Sequence, residues 1–272
     1  RDLHSFPTRR SSDLEPGLYV RTPGSYRKML SAYNSNPPDD EPTSPILIHV
    51  GAGTKLLRAF VDFKGDRSKR LTHTIGVGDP AGIHYVYDLE SGNIACVWRG
   101  DFVDATPMWH ERGDGSFRPQ GAVQYLFVNQ PLAFLATATD AFPVMGKENE
   151  FRTKGYVLEE GTGRPVFNYL YQGLEVSDKV YPTDNNRVIT HDVVIKNRGT
   201  KTGLYYKLAE GSSILKMPDG SYAIDDKQYY IKSSSPVTVR DSNGKKELVA
   251  TVDGSTLNYS IIWPVLDRKS VV

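Results

Sequence analysis

From Pro45 onward, apolar residues recur at nearly every second position, and Gly, Pro, Asn and Asp interrupt them at short, regular intervals. Alternation with a period of two places successive side chains on opposite faces of an extended chain, so it dictates strands and excludes amphipathic helices. Candidate strands include Leu57–Phe63, Leu71–Val77, Ile83–Asp88, Ile94–Arg99, Ala122–Val128, Pro165–Tyr171, Leu174–Tyr181, Arg187–Asn197, Gly203–Glu210 and Thr256–Trp263. Asn243-Gly244 and Asp253-Gly254 tolerate positive φ and read as tight hairpins. So many strands exceed one comfortable open sheet. The expected fold is therefore all-β: a large antiparallel β-sandwich, with a supersandwich of the galactose-mutarotase kind as its extended form, and very little helix. The best helical segment is short, with Thr106 as N-cap, Pro107 at the first position, Met108 to Arg112 following and Gly113 as the stop.

The organisation along the chain follows from composition shifts. Residues 34–45, NSNPPDDEPTSP, hold prolines and acids with no apolar side chain, which marks a linker. Residues 15–44 are thus expected to be the tail of an upstream segment, with a weak helical stretch around Tyr26–Tyr33, and residues 45–266 the β domain, with an internal seam near 150. The two ends, Arg1–Leu14 and Asp267–Val272, look like translated sequencing adapter and are set aside as artefact. Removing them takes away five basic and three acidic side chains, so the formal net charge moves from +1 to −1. A near-neutral chain has no electrostatic reason to seek nucleic acid. No apolar run is long enough to span a membrane as a helix. With one cysteine, Cys96, no disulfide forms within the chain, and no CxxCH motif exists for covalent haem.

Reactive side chains concentrate between His73 and Gly121. Asp101 and Asp104, with His110 and Glu111 nearby, are the candidate catalytic set, since two carboxylates in different environments divide acid and base roles. The competing reading has Asp101 closing a turn and Asp104 binding backbone at the start of the short helix. His84, His110, Asp101 and Glu111 carry the N and O donors of a metal site, but without a fixing motif such as HExxH, and no metal is expected. Trp98, Phe102, Tyr85 and Tyr87 would make an aromatic platform if they faced solvent. Trp109, beside a proline and charged neighbours, is the better candidate for ligand contact, with Asp101, Asp104 and Arg112 beside it. His73 and His191 lie in strand patterns and read as structural or surface residues, and Cys96 as a small buried residue.

An ordered series of motifs carries a resemblance. Val77-Gly78-x-Pro80-x-Gly82 precedes a strand ending in Tyr87-Asp88, and Trp98-Arg99-Gly100-Asp101-Phe102-Val103-Asp104 follows. Trp109, Arg112-Gly113-x-Gly115, Pro119-x-Gly121, Gly155-Tyr156, Arg164-Pro165-x-Phe167-x-Tyr169 and Gly173-x-Glu175-Val176 continue it. Over residues 46–210 the chain resembles the β domain of large secreted bacterial proteins, of planctomycete and Bacteroidetes type, that also carry c-type cytochrome and glucose/sorbosone dehydrogenase-like modules. The resemblance implies a periplasmic or secreted setting, neighbouring domains of the same protein as partners, and haem c only in a neighbouring domain, with no cofactor in this segment. The expected role is a non-catalytic module, scaffold or carbohydrate-contacting. The alternatives are a carbohydrate-active enzyme of epimerase or hydrolase type using Asp101, Asp104, His110 and Glu111, and a purely structural inter-domain module. The second half is also similar to the supersandwich modules of aldose epimerases, through Gly173-x-Glu175-Val176 and a long strand ending in Lys196-Asn197.

Overall fold

Alternation becomes strand wherever both faces can be buried or paired. The computed structural model describes residues 17–22, 25–31, 44–110, 113–137, 139–143, 151–184 and 187–264. The chain divides into two compact units, residues 1–44 and 45–272. In the first, β1 (Gly17–Thr22) and β2 (Ser25–Ser31) form an antiparallel pair with Leu18 opposite Leu30 and Thr22 opposite Ser25. The helical stretch expected around Tyr26–Tyr33 is therefore strand over residues 25–31. The aromatic and β-branched residues Tyr19, Val20, Thr22 and Tyr26 suit a pleated pair better than a short helix with no cap.

The second unit opens with β3 (Leu47–Ile48), β4 (Lys55–Asp62), β5 (Arg70–Gly78), β6 (Ile83–Asp88), β7 (Asn93–Asp104), the short helix α1 (Thr106–Trp109), β8 (Arg118–Gly121) and β9 (Gln124–Tyr125). These strands make a seven-stranded sheet of order β3-β7-β6-β5-β4, with β8 and β9 also paired to β7. Then come β10 (Leu132–Phe134), β11 (Phe151–Leu158), β12 (Pro165–Tyr171), β13 (Leu174–Thr183), β14 (Val188–Lys196), β15 (Leu204–Gly211), β16 (Ile214–Lys216), β17 (Tyr222–Ile224), β18 (Tyr229–Ser233), β19 (Val237–Ser242), β20 (Lys245–Thr251) and β21 (Thr256–Ile262). Eight of them run in the order β11-β12-β13-β14-β21-β18-β17-β16, and four in the order β10-β15-β20-β19. The unit is an all-β, antiparallel sandwich. The seam expected near 150 falls at residues 144–150, which lie outside the described residues, as do residues 1–14 and 267–272.

The buried faces of all three sheets meet in one core, with Ile75, Val77 and Ile83 from the first sheet, Phe167, Val176, Ile189 and Ile261 from the eight-stranded sheet, and Leu132, Leu204 and Leu248 from the third. A second cluster lies on the other face of the seven-stranded sheet, where Val86, Cys96, Trp98, Phe102 and Phe117 pack together. β6 is consequently buried along its whole length, one face in each cluster. Asp79, at the turn after β5, receives Arg164 Nε at 2.7 Å and so ties that turn to the start of β12.

β7 is the hinge of this arrangement. Gly100 has φ +118, and the register slips between Asp101 and Val103, so the strand bends there. Before the bend β7 pairs with β6 and β9, and beyond it with β3 and β8. Of the strand expected over Ala122–Val128 only Gln124–Tyr125 is strand, paired to β7 before the bend, while β8 arises at Arg118–Gly121, in the segment read from sequence as loop, and pairs beyond it.

Candidate functional site

The loop between β7 and β8 holds most of the sequence candidates, and it is built on the Asp104 carboxylate. That group accepts from the Thr106 backbone N–H at 2.8 Å and from the Thr106 hydroxyl, and the same hydroxyl oxygen accepts from the Ile46 N–H at 2.8 Å. Asp104 thus fastens the start of α1 to the segment before β3. Thr106, expected as the N-cap, is instead the first helical residue, with Ala105 at the cap position and no side-chain cap bond. α1 ends at Trp109, three residues short of the expected helix, with the His110 N–H donating to the Thr106 carbonyl. Asp101 is exposed while Asp104 is buried, so the two carboxylates occupy different environments. His110 is half-buried, and Trp109 is 53% exposed. Glu111 and Arg112 lie outside the described residues. Asp114, further along the loop, accepts from Ser116 and Arg70, and these hydrogen bonds hold it well below the usual carboxylate range.

The other aromatic candidates face inward. Trp98 and Phe102 stack with centroids 6.1 Å apart, and the Trp98 indole N–H donates to the carbonyls of Asp101 and Phe102 at 3.0 and 3.1 Å. Tyr85 and Tyr87 are buried in the core, so these four make no sugar-facing platform. His84 is also buried, with Nε2 bonded to the Gly100 carbonyl at 2.8 Å, and burial lowers its imidazole pKa. Burial likewise pushes the Cys96 thiol up to about 12. Among the described residues no three His, Cys, Asp or Glu side chains gather as a metal site.

A cavity of about 160 Å³ lies between β15 and the β19–β20 hairpin, lined by Phe142, Lys207, Glu210, Asn243, Lys245 and Glu247. Its ions are mutually satisfied. Lys207 Nζ donates to Glu210 at 3.0 Å and Glu247 at 3.2 Å, Arg240 donates to Glu247 at 2.7 Å, and Lys245 to Glu210 at 2.7 Å. Burial acts to raise the Glu210 pKa, but Lys245 and Lys207 outweigh it and leave the carboxyl below its ordinary value. Carboxylates held this way are structural counter-ions, not a free acid and base.

The most unusual chemistry is in the core, where sequence reasoning had not placed a site. On β13, Leu174, Val176 and Val180 point inward, and Asp178 shares their phase. On β14, His191 shares the inward phase of Ile189, Val193 and Ile195. The register pairs Val180 with His191 and Asp178 with Val193, so Asp178 and His191 are diagonal neighbours on one face. His191 Nδ1 lies 3.0 and 3.3 Å from the two Asp178 oxygens, and its ring stacks on Tyr259 at 4.4 Å. Tyr169 comes from β12, Tyr85 and Tyr87 from β6, and Tyr206 from β15. All three sheets therefore contribute to one polar cluster that is at most 2% exposed.

Within it, the hydroxyls of Tyr85, Tyr87, Tyr169 and Tyr206 and His191 Nε2 have no protein partner of hydrogen-bond geometry. Two of them have near partners outside that geometry: the Tyr87 hydroxyl lies beside the Asp178 carboxylate, and the Tyr206 hydroxyl beside that of Tyr259. Burial first, and the Asp178 carboxylate next, push the Tyr85, Tyr87 and Tyr169 phenols well above their ordinary value. An unsatisfied buried polar group costs about 1–3 kcal/mol.

Fold and site together define an antiparallel β-sandwich protein with one anchored, exposed tryptophan and an enclosed polar cluster. Compared with known proteins, the chain matches no family model, no curated protein and no solved structure. Among the described residues no helix is long and apolar enough to cross a membrane.

Proposed function

We propose that this chain is a non-catalytic β-sandwich module of a larger, periplasmic or secreted bacterial protein, contacting carbohydrate on behalf of a haem-bearing or sugar-oxidising neighbour. The observation that carries this reading is Trp109. Its indole is more than half exposed on a helix that Asp104, Thr106 and Ile46 clamp in place. A large aromatic held out on a rigid support loses little conformational entropy when a sugar ring stacks on it. Leu47 and Phe60, also exposed, hang from strands joined to the same loop, with Leu47 opposite Asp104 and Phe60 bridged to Ser116. The motif series from Val77 to Val176 supports the multidomain, secreted context. On the catalytic side, Asp104 is buried and committed to holding α1 while Asp101 is exposed, so these two carboxylates do not share one environment.

Titration of the intact chain against a panel of neutral and acidic oligosaccharides, followed by tryptophan fluorescence and calorimetry, tests the proposal. Binding should fall about tenfold or more in Trp109→Ala, the loss expected when a central aromatic anchor is removed. No saturable binding in the panel, or equal affinity in the variant, would overturn the carbohydrate contact.

A further inference from the structure

We propose that the meeting point of the three sheets is an internal water-binding site, in which ordered water bridges Tyr85, Tyr87, Tyr169, Tyr206 and His191 Nε2 around the Asp178 carboxylate. The first step is geometric. Five buried polar atoms from β6, β12, β14 and β15 lack a protein partner of full hydrogen-bond geometry, although the Tyr87 hydroxyl lies near Asp178 and the Tyr206 hydroxyl near Tyr259. None of their side chains is more than 2% exposed.

Stacking fixes two of the rings in this region. Tyr87 is stacked flat on Phe167, 3.7 Å between centroids and 2° between planes, while Tyr259 is stacked on His191. A phenol oxygen lies in the plane of its ring, so a ring locked by stacking locks its hydroxyl.

The occupant must therefore both donate and accept. The phenols do either, the Asp178 oxygens only accept, and His191 Nε2 does one or the other once Asp178 holds Nδ1. Water is the smallest species that does both, and it needs no open channel to enter a closed interior. Metal ions prefer several anionic or imidazole donors, and Asp178 is the lone carboxylate here, already shared with His191. Each buried water typically makes about three hydrogen bonds, so these groups and the carboxylate call for about two molecules.

Counting long-lived internal waters by oxygen-17 relaxation on the intact protein, together with a crystal structure fine enough to order them, tests the site directly. Tyr85→Phe and Tyr169→Phe add the thermodynamic sign. A hydrated hydroxyl stabilises, so each variant should lose internal water and melt about 2–4 °C lower. A dry, unsatisfied hydroxyl destabilises, and removing it would leave the melting temperature unchanged or raise it. That result, an absence of long-lived water in the wild type, or an organic solute retained in native mass spectrometry would each overturn the proposal. Should a variant fail to fold, the wild-type relaxation count and water density decide alone.

Discussion

Asp178 stands where its strand calls for an apolar side chain, and that single departure sets the chemistry of the core. With the carboxylate removed, His191 is left buried without its only hydrogen-bonding neighbour on Nδ1. Asp178→Leu should accordingly destabilise the fold by about 3–5 kcal/mol, and adding His191→Leu should restore most of that loss, because the pair as a whole contributes far less than either half broken. Urea unfolding of the two single variants and the double decides it; simple additivity would mean the groups are uncoupled. The position was readable in part: strand Leu174–Tyr181 was expected, and Asp178 sits between Val176 and Val180 on its apolar phase. What one strand cannot show is which faces meet across the core, so the tyrosines of β6 and β15 could not be assigned to it. Local partnerships fared better. Asp104 bonds a residue two positions away, the range over which sequence suggests an Asx turn, whereas Asp79 and Arg164 lie 85 positions apart.

At the level of elements, the β7–α1–β8 loop depends on close backbone approach. Gly113 has φ +61, and a Cβ there would lie 1.8 Å from the Met108 carbonyl oxygen, whereas Gly82, at φ +75, faces open space. Gly113→Ala should therefore lower stability by about 1–3 kcal/mol beyond the roughly 1 kcal/mol expected of Gly82→Ala, and should also shift Trp109 emission. Thermal unfolding with fluorescence compares the two; equal effects would mean the loop gives way without consequence. The proline and glycine that bound this loop were visible as a short capped turn, but its anchoring to Ile46 was not, since that contact spans 60 positions. The same limit explains β8 and β9. Alternation over Ala122–Val128 announced extended chain, but the pairing of Arg118–Gly121 depends on β7 beyond its bend at Gly100 and is not legible locally.

For the molecule as a whole, three sheets share one apolar core, and ion pairs close its flanks. Glu210 titrates below its ordinary value of 4.5 in the folded state, so the unfolded chain takes up its proton first as pH falls. The stabilisation is present in full above that value and is lost as pH drops through the folded pKa. Melting temperature should thus decline more steeply below about pH 4.5 in the wild type than in Glu210→Gln, measured by calorimetry from neutral to acidic buffer. Parallel curves would remove this cluster from acid denaturation. One feature of the topology bears on biosynthesis. β21 lies in the interior of the eight-stranded sheet, hydrogen-bonded to β14 on one side and β18 on the other. Until residues 256–262 have left the ribosome, the inner edges of β14 and β18 stay open, and a nascent chain must keep both from pairing with strangers.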